Sequence, residues 1–371
     1  MRNVNSVAVG QRLFPAAIVP SGWYQIGWSG DFEAGGRPLP LDYFERNLVA
    51  FRGKSGRLHV LDAHCRHMGA NLGHGGTVVG DEIACPYHGW RWSGADGSNT
   101  HIPYGNRDCM PKLSLGSWAT REVDGVVLVW YGADGEPPAF ALPERFYRSG
   151  GEPWDPFPEA TSVWRDVTMA PQFAAENVPD AAHFKYIHRA ARLPTLERYE
   201  SGEGVFRTEW SLSFGEDRPP TWATPTGPIP GRIVTETYGL SLGWNVQYAF
   251  DEVTALAGYT PIDPYKSDIF LTVWTPRSRT DGSPLGRELR DHWFEFQKTQ
   301  IEADIRVWSH QTYIEHPPYA ILEGDSSVES VAMRAIRDWS EQFYGTGAQG
   351  SGEVASAFAR KASAASAPNR P

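Results

Sequence analysis

Short apolar segments separated by turns fill the first third of the chain. Aromatic and β-branched residues gather over 22–28, 47–52, 58–62, 82–85 and 126–131. Glycine and proline occupy the intervals, which is typical of short strands joined by tight turns such as the one expected at 53–56. The pattern predicts a small all-β domain over residues 1–135, with a linker or turn at 132–138.

The pattern changes after that turn. Residues 172–192 are helix-like but interrupted, and helical periodicity returns over about 285–311 and about 327–344. The strand candidates between these helices include 233–238, 244–250 and 269–274. Strands followed by long helices predict an α+β domain over residues 136–345, in which an antiparallel sheet packs against a long helix.

Composition narrows the class of protein. The 371 residues are 41% hydrophobic and 21% charged, as in ordinary soluble proteins, and no apolar run is long enough to span a membrane. A net charge of -10 without a long basic run argues against nucleic acid as a partner. Residues 1–10 show no signal-peptide pattern. Three cysteines, Cys65, Cys85 and Cys109, do not make a disulfide framework, so we expect a reducing cytoplasm.

Two further features of the composition are unusual. The chain has 15 Trp, 15 Tyr and 17 Phe, which would suit either a large core or a pocket lined with rings for a flat apolar substrate. The C-terminal residues 346–371 are rich in Ala, Gly and Ser. We expect this tail to be mostly disordered, because such a composition buries little apolar surface.

The first group of candidate metal ligands combines a C-x-H pair, Cys65 and His67, with a C-x-x-H pair, Cys85 and His88. Structural zinc sites usually place Cys with Cys and His with His. Here each loop supplies one of each, which is the arrangement of a [2Fe–2S] cluster with two His on one iron. The spacing favours an iron–sulfur cluster, with structural zinc as the alternative.

The second group is the D-x-x-H-x-x-x-x-H pattern of Asp180, His183 and His188. Two His and one carboxylate form the facial triad of non-haem Fe(II) oxygenases. A spacing of five residues puts the two His about 140° apart on a regular helix, so a break or a π-type bulge is needed between them. Two ordinary histidines on a surface helix are the alternative.

The third ligand is predicted on the long helix, where Glu302 and Asp304 are the candidates. The residues of its apolar stripe are Ile301, Asp304, Ile305 and Trp308, and those of its solvated face are Glu295, Lys298, Glu302 and Arg306. Asp304 therefore points inward, and a buried carboxylate needs a partner. That partner is an iron held with His183 and His188, or else the guanidinium of an Arg.

Several segments carry a family resemblance. They are CRHMGANL (65–72), CPYHGWRW (85–92), IPY (102–104), DAAHFKYIH (180–188), ADIRVW (303–308) and EQFY (341–344). The first two resemble the cluster-binding loops of Rieske proteins. Together, from about Gly22 to Tyr344, the segments are similar to the oxygenase component of 3-ketosteroid 9α-hydroxylases. Gly89 stands where that group often has Asp, and Lys185 where an apolar or aromatic residue is usual.

The resemblance implies a Rieske β-domain with a [2Fe–2S] cluster and a helix-grip catalytic domain with a mononuclear Fe(II). It also implies a head-to-tail homotrimer that receives electrons originating from NAD(P)H through a separate ferredoxin or flavin/iron–sulfur reductase. The activity implied is O₂-dependent hydroxylation of a small hydrophobic, polycyclic substrate, either steroid-like or aromatic. Dioxygenation, demethylation or desaturation, or a Rieske protein that only carries electrons, are the alternatives.

Candidate catalytic residues complete these predictions. By the same resemblance, His88 pairs with Asp180 of a neighbouring subunit, and Asp180 and Asn177 are the candidate catalytic residues. Within one chain, Asp180 could instead orient a ligating imidazole or cap the helix. We expect the substrate pocket between the sheet around 244–274 and the helix through Trp308.

Overall fold

The computed structural model describes residues 11–12, 18–105, 112–190, 192–214, 229–248, 251–279, 281–315, 317–318 and 327–345. The predicted tail over 346–371 and Cys109 lie outside these residues.

The N-terminal part is built from short antiparallel strands. They are β1 (Gln11–Arg12), β2 (Gly22–Trp28), β3 (Leu39–Tyr43), β4 (Arg46–Arg52), β5 (Leu58–Asp62), β6 (Thr77–Val79), β7 (Glu82–Ala84), β8 (Arg91–Ser93), β9 (Asn99–His101), β10 (Ser117–Trp118), β11 (Thr120–Val123) and β12 (Val126–Tyr131). The sheet orders are β10-β5-β4-β3, β11-β12-β2 and β6-β7-β8-β9. Valine-rich β12 is buried along most of its length, as its lack of polar alternation requires.

The C-terminal part combines one large sheet with four helices among the described residues. The elements are β13 (Thr161–Thr168), α1 (Pro171–Glu176), α2 (Ala181–Tyr186), β14 (Thr195–Gly202), β15 (Val205–Phe214), β16 (Ile229–Tyr238), β17 (Leu242–Tyr248), β18 (Glu252–Asp263), β19 (Lys266–Trp274), α3 (Arg287–Trp308), β20 (Tyr313–Ile314) and α4 (Ser327–Ser340). Strands β13 to β19 form a seven-stranded antiparallel sheet in the order β13-β19-β18-β17-β16-β15-β14, and β20 pairs with β1.

The long helix α3 lies against this sheet. Trp293 and Phe294 pack on residues of β18 and β19, and Trp308 packs on Ala257 and Tyr259 of β18. The antiparallel sheet with its packed helix confirms the predicted α+β class. The helix begins at Arg287 and ends at Trp308, slightly inside the predicted 285–311, because residue 286 is an extended glycine and the chain turns after 309.

The predicted domain boundary near residue 135 does not separate two hydrophobic cores. The largest buried cluster includes residues of β2 and β12 together with residues of β15 to β19. Within it, the indole of Trp28 packs edge-to-face on Phe270 at 5.6 Å and donates a hydrogen bond to Thr272 Oγ1 at 2.9 Å. A second, smaller core surrounds the loops of Cys65 and Cys85. The first domain therefore shares its interior with the large sheet.

We expect Phe270→Ala to destabilise both parts of the chain together, because Phe270 is 1% exposed and its ring joins them. A buried Phe-to-Ala change costs about 3–5 kcal/mol of folding free energy. Thermal melting followed by tryptophan fluorescence and by the visible absorbance of the cluster should shift by the same amount. Leu193→Ala, at a site 37% exposed, is the control. A shift in one signal alone would show that the two parts unfold independently.

Candidate metal centres

The two predicted cluster loops have the same backbone hydrogen-bond pattern. The Cys65 N–H donates to the carbonyl of Ala70 at 3.0 Å, and the Cys85 N–H donates to that of Trp90 at 2.8 Å. Four residues after each cysteine, the N–H of Gly69 or Gly89 donates to that cysteine's carbonyl. Both glycines have a left-handed backbone, with φ of 76° and 70°. The C-x-H and C-x-x-H pairs are therefore presented by two equivalent tight turns.

The side chains of these loops converge. Cys65 and Cys85 are buried free thiols, and the rings of His67 and His88 lie 4.7 Å apart between centroids. Burial raises the pKa of the Cys65 thiol, and the Cys85 thiol acts in the same direction, opposed by the backbone at His67. Thiols so placed become thiolates only beside a cation.

His88 supplies a further observation that fits a cluster. Its Nδ1 is buried and has no hydrogen-bond partner among the described residues. A buried nitrogen without a partner is costly, and ligation to iron removes that cost. The donor set of two thiols and two imidazoles thus suits the Rieske cluster predicted from the sequence.

Segment 102–104 supports the second loop, a role that the sequence did not reveal. The indole N–H of Trp90 donates to Tyr104 Oη at 2.8 Å, and the Trp90 ring stacks on His67 at 4.5 Å. A Cβ atom on Gly89 would lie 3.0 Å from Pro103 Cγ. This contact and the positive φ explain why glycine suits position 89, where the resembling group often has Asp.

Of the predicted iron histidines, His183 lies within the short helix α2 and His188 lies just beyond its end. Asp180 caps its start, where Oδ1 accepts hydrogen bonds from the N–H groups of Ala182 at 2.8 Å and His183 at 3.3 Å. The Nδ1 of His183 lies 2.5 Å from the carbonyl oxygen of Asp180. That hydrogen bond makes Nδ1 the donor and leaves Nε2 for a metal. Asp180 thus orients the imidazole through its backbone, while its carboxylate caps the helix.

The helix ends in a π-type turn, one of the two irregularities that the five-residue spacing predicted. The N–H of His188 donates to the carbonyl of His183, five residues earlier, at 3.2 Å. Arg189 follows in the left-handed region with φ of 59°. The two imidazole rings come to 4.9 Å between centroids. Lys185 is exposed, with its Nζ 5.8 Å from the centre of the Tyr186 ring, so this departure from the family pattern does not reach the histidines.

Asp304 is the acid of α3 that reaches the histidines. Its Oδ1 lies 3.5 Å from His188 Nε2, and ligand atoms of His183, His188 and Asp304 all lie within 4.8 Å of one another. Glu302 is only partly buried and is not part of this group. Among the described residues, no Lys or Arg forms an ion pair with Asp304.

Electrostatics at the three side chains favours a bound cation. Burial raises the pKa of Asp304 well above its usual range, and the charge of Asp180 adds to this. Burial lowers the pKa of His183, and with the neighbouring His183 it lowers the pKa of His188 to about 3. Unprotonated imidazoles are the form that binds metal, and a divalent ion would stabilise the buried carboxylate. The residues therefore fit a mononuclear iron of the two-His, one-carboxylate type.

A cavity of about 140 Å³ opens beside these three side chains. Its wall includes Trp244 of β17, Tyr259 of β18 and Trp308 of α3, in the region predicted for the substrate. Asn177, at the end of α1, also lines it. Four further amide residues of the wall were not identified from the sequence. Two of them, Gln297 and Gln300, could have been found from the sequence, because their spacing puts them on the same helix face as Asp304.

Two family models match the chain. The Rieske [2Fe-2S] domain model matches residues 22–139, and the model of the 3-ketosteroid 9alpha-hydroxylase C-terminal domain matches residues 129–344. With the two metal centres described above, these matches define the class: the chain is a Rieske-type oxygenase with a [2Fe–2S] cluster and a mononuclear iron. More closely, it belongs to the 3-ketosteroid 9α-hydroxylase family of oxygenase components.

Named relatives agree with this placement. The chain is 32% identical over 337 residues to a 3-ketosteroid-9-alpha-monooxygenase oxygenase component of Rhodococcus rhodochrous, covering 87% of this chain and 83% of the relative. It is 28% identical over 342 residues to cholesterol 7-desaturase nvd of Drosophila melanogaster, covering 88% and 75%.

Solved structures share the fold. Dicamba monooxygenase bound to dicamba superposes with a TM-score of 0.63 at 19% identity, covering 88% of this chain and 99% of the other. NdmA of Pseudomonas putida CBB5 with caffeine gives 0.60 at 17% identity, covering 86% and 89%. The described part of the chain contains no helix that is both long and apolar enough to cross a membrane.

Proposed function

We propose that this chain hydroxylates a C–H bond of a steroid-like polycyclic substrate. The observation that carries the proposal is the group of His183, His188 and Asp304 at the wall of a cavity that also contains two Trp residues. The names of the relatives, which include a 3-ketosteroid monooxygenase and a cholesterol desaturase, support a steroid-like substrate over other apolar compounds.

We assign the metal ligands as the sequence predicted them. Cys65, His67, Cys85 and His88 would hold the [2Fe–2S] cluster, and His183, His188 and Asp304 would hold the mononuclear iron. The cluster supplies electrons and the iron supplies O₂ activation. Two buried, free thiols also suit a cytoplasmic location.

The chain's own residues position the substrate and keep water out. Trp308 is nearly inaccessible and, beside Tyr259, offers a flat apolar wall to a polycyclic skeleton. Asn177 lines the cavity close to His183 and can donate or accept a hydrogen bond there. We therefore keep Asn177 as a candidate catalytic residue.

Electron transfer between subunits of a trimer is the arrangement we propose. Within one chain, the cluster loops belong to a core that contains no residue of α1, α2 or α3. The surface beside the cluster exposes Met68, Tyr87 and Tyr104, each more than 60% accessible, and α2 exposes Tyr186 to 75%. Packing one surface on the other in a neighbouring copy would bring His88 close to Asp180. The electrons would come from NAD(P)H through a ferredoxin or a flavin/iron–sulfur reductase.

Desaturation is the second candidate reaction, favoured by the relative named cholesterol 7-desaturase. Hydroxylation and desaturation would both begin at a C–H bond held in the cavity beside the proposed iron ligands. They differ in whether the product keeps an oxygen atom from O₂, so product analysis separates them.

Replacing the proposed iron ligand tests the second centre. Asp304→Ala should lower iron from about three atoms per chain toward two, because the cluster keeps its own pair, and should abolish turnover. Iron and acid-labile sulfide are counted on anaerobically purified protein. Glu302→Ala, on the same helix, is the matched control and should keep all three. Loss of iron in Glu302→Ala and not in Asp304→Ala would show that Glu302, rather than Asp304, is the iron ligand.

Asp180→Asn separates the helix cap from the proposed electron path. Asn is as good a cap as Asp, and the backbone carbonyl that holds His183 is unchanged, so iron content and melting temperature should stay the same. Turnover should fall about 10- to 100-fold. Stopped-flow measurement of cluster reoxidation by O₂ with substrate present provides the rate. Reoxidation at the wild-type rate would exclude Asp180 from the path.

Turnover with a suitable reductase, NADH and O₂ tests the substrate class. We expect conversion of at least one 3-ketosteroid to a product with one oxygen atom from labelled O₂, identified by mass spectrometry. Polycyclic aromatics and their methyl ethers serve as comparison substrates. A product that has lost two hydrogens without gaining oxygen would favour desaturation. Conversion of the aromatic ethers alone would contradict the steroid assignment.

A further inference from the structure

Four amide side chains line the cavity beyond the iron ligands, and each has a buried polar atom without a hydrogen-bond partner among the described residues. These atoms are Asn245 Oδ1, Gln247 Oε1, Gln297 Nε2 and Gln300 Oε1. Gln247 and Gln297 are only 6% and 5% exposed, so bulk solvent does not satisfy them.

The backbone explains why these amides face one space. Asn245 and Gln247 are two residues apart on β17, so they project from the same face of the sheet. Gln297, Gln300 and Asp304 follow an i, i+3, i+7 spacing on α3 and share one helix face. At 1.5 Å rise per residue, Gln300 and Gln297 lie about 6 Å and about 10 Å along the axis from Asp304. The amides thus extend the cavity wall away from the metal ligands.

Burial of unpaired amides is unfavourable for the fold. A buried polar group without a partner costs about 1–3 kcal/mol, and leucine would fill the same space without that cost. Neighbouring wall positions such as Ile233 and Ile301 are apolar. A set of unpartnered amides on two facing elements therefore indicates a bound molecule that completes their hydrogen bonds.

The charge of the cavity limits what that molecule can be. None of the described wall residues is Lys or Arg, and two are acids, Asp304 and Glu236. Glu236 already pairs with Arg148 at 2.8 Å and Arg207 at 2.6 Å. Nothing in the described wall neutralises an anionic ligand, whereas amides donate to and accept from uncharged oxygen.

We propose that Asn245, Gln247, Gln297 and Gln300 form a subsite that binds an uncharged oxygen function of the substrate, a ketone or hydroxyl. The inference rests on the proposed function for the identity of the skeleton, but not for the chemistry of the subsite. The oxygen is held at one end of the cavity, and this places a chosen C–H bond beside His183, His188 and Asp304.

Equilibrium binding to the iron-loaded protein without O₂ tests the subsite independently of turnover. Two probe series are measured by equilibrium dialysis. One compares androst-4-ene-3,17-dione with the oxygen-free skeleton 5α-androstane. The other compares 2-acetylnaphthalene with naphthalene. We expect each neutral oxygenated probe to bind about 5- to 10-fold more tightly than its hydrocarbon.

Gln247→Leu and Gln300→Leu should remove most of that preference while leaving hydrocarbon binding unchanged or tighter. Their melting temperatures should change little, because each variant removes a buried amide atom that has no partner, and Gln300→Leu loses only the long hydrogen bond of 3.4 Å from Gln300 Nε2 to the carbonyl of Phe296. Gln342→Leu, on the exposed surface, is the matched control and should keep the preference. If Gln247→Leu does not fold, the less buried Gln300 provides the result.

The outcomes separate this inference from the proposed function. Failure of both steroids to bind, with the naphthalene series behaving as expected, would contradict the steroid skeleton and support the subsite. Equal binding of oxygenated and oxygen-free probes in both series, or an unchanged preference in both Leu variants, would overturn the subsite. Binding of no probe at all would overturn it as well.

Discussion

Three ligand atoms, on His183, His188 and Asp304, lie within 4.8 Å of one another, and much of the catalytic domain serves to keep them there. Burying a charge without a partner costs several kcal/mol, so such a group persists only where a cation offsets the cost. Packing of α3 on β18 fixes the carboxylate, and the Asp180 cap fixes the first imidazole. A ligand set held in this way before metal binding needs little reorganisation when iron enters.

The cluster loops meet the same requirement by a different route. Two tight turns with equivalent hydrogen bonds hold the cysteines and histidines, and the ring of Trp90 fixes His67. Strands β4 and β5 contribute residues both to the small core around these loops and to the largest buried cluster, which also contains residues of the large sheet. The surface that carries His88 is thereby held at a fixed orientation to the catalytic sheet. Fixed orientation is what a closed ring of copies needs, because each interface must repeat with the same geometry.

The sequence predicted the parts of the site that depend on local patterns. Gly22–Trp28, Leu58–Asp62 and Val126–Tyr131 are strands with the predicted bounds, and the five-residue spacing correctly required an irregularity, a break or a π-type bulge, between the two histidines. Periodicity also selected Asp304 over Glu302. The sequence pattern could not show that β17 and α3 line the same cavity. These elements are about fifty residues apart in the chain, and the order of strands in the sheet is what brings them together. The unpartnered amides became visible only when their burial was known.

A reaction at an unactivated C–H bond would explain why the wall of the cavity contains polar groups. Such a bond offers no hydrogen-bonding group, so nothing at the reacting carbon distinguishes it from its neighbours. Selection among similar carbons must then come from groups elsewhere on the substrate, whose binding energy fixes the orientation. A flat wall such as the Trp308 ring would restrict tilt but permit sliding along a polycyclic skeleton. In the proposed function, amides at a set distance along α3 would stop that sliding, so Asp304 and the amides on the same helix would together define which carbon reacts.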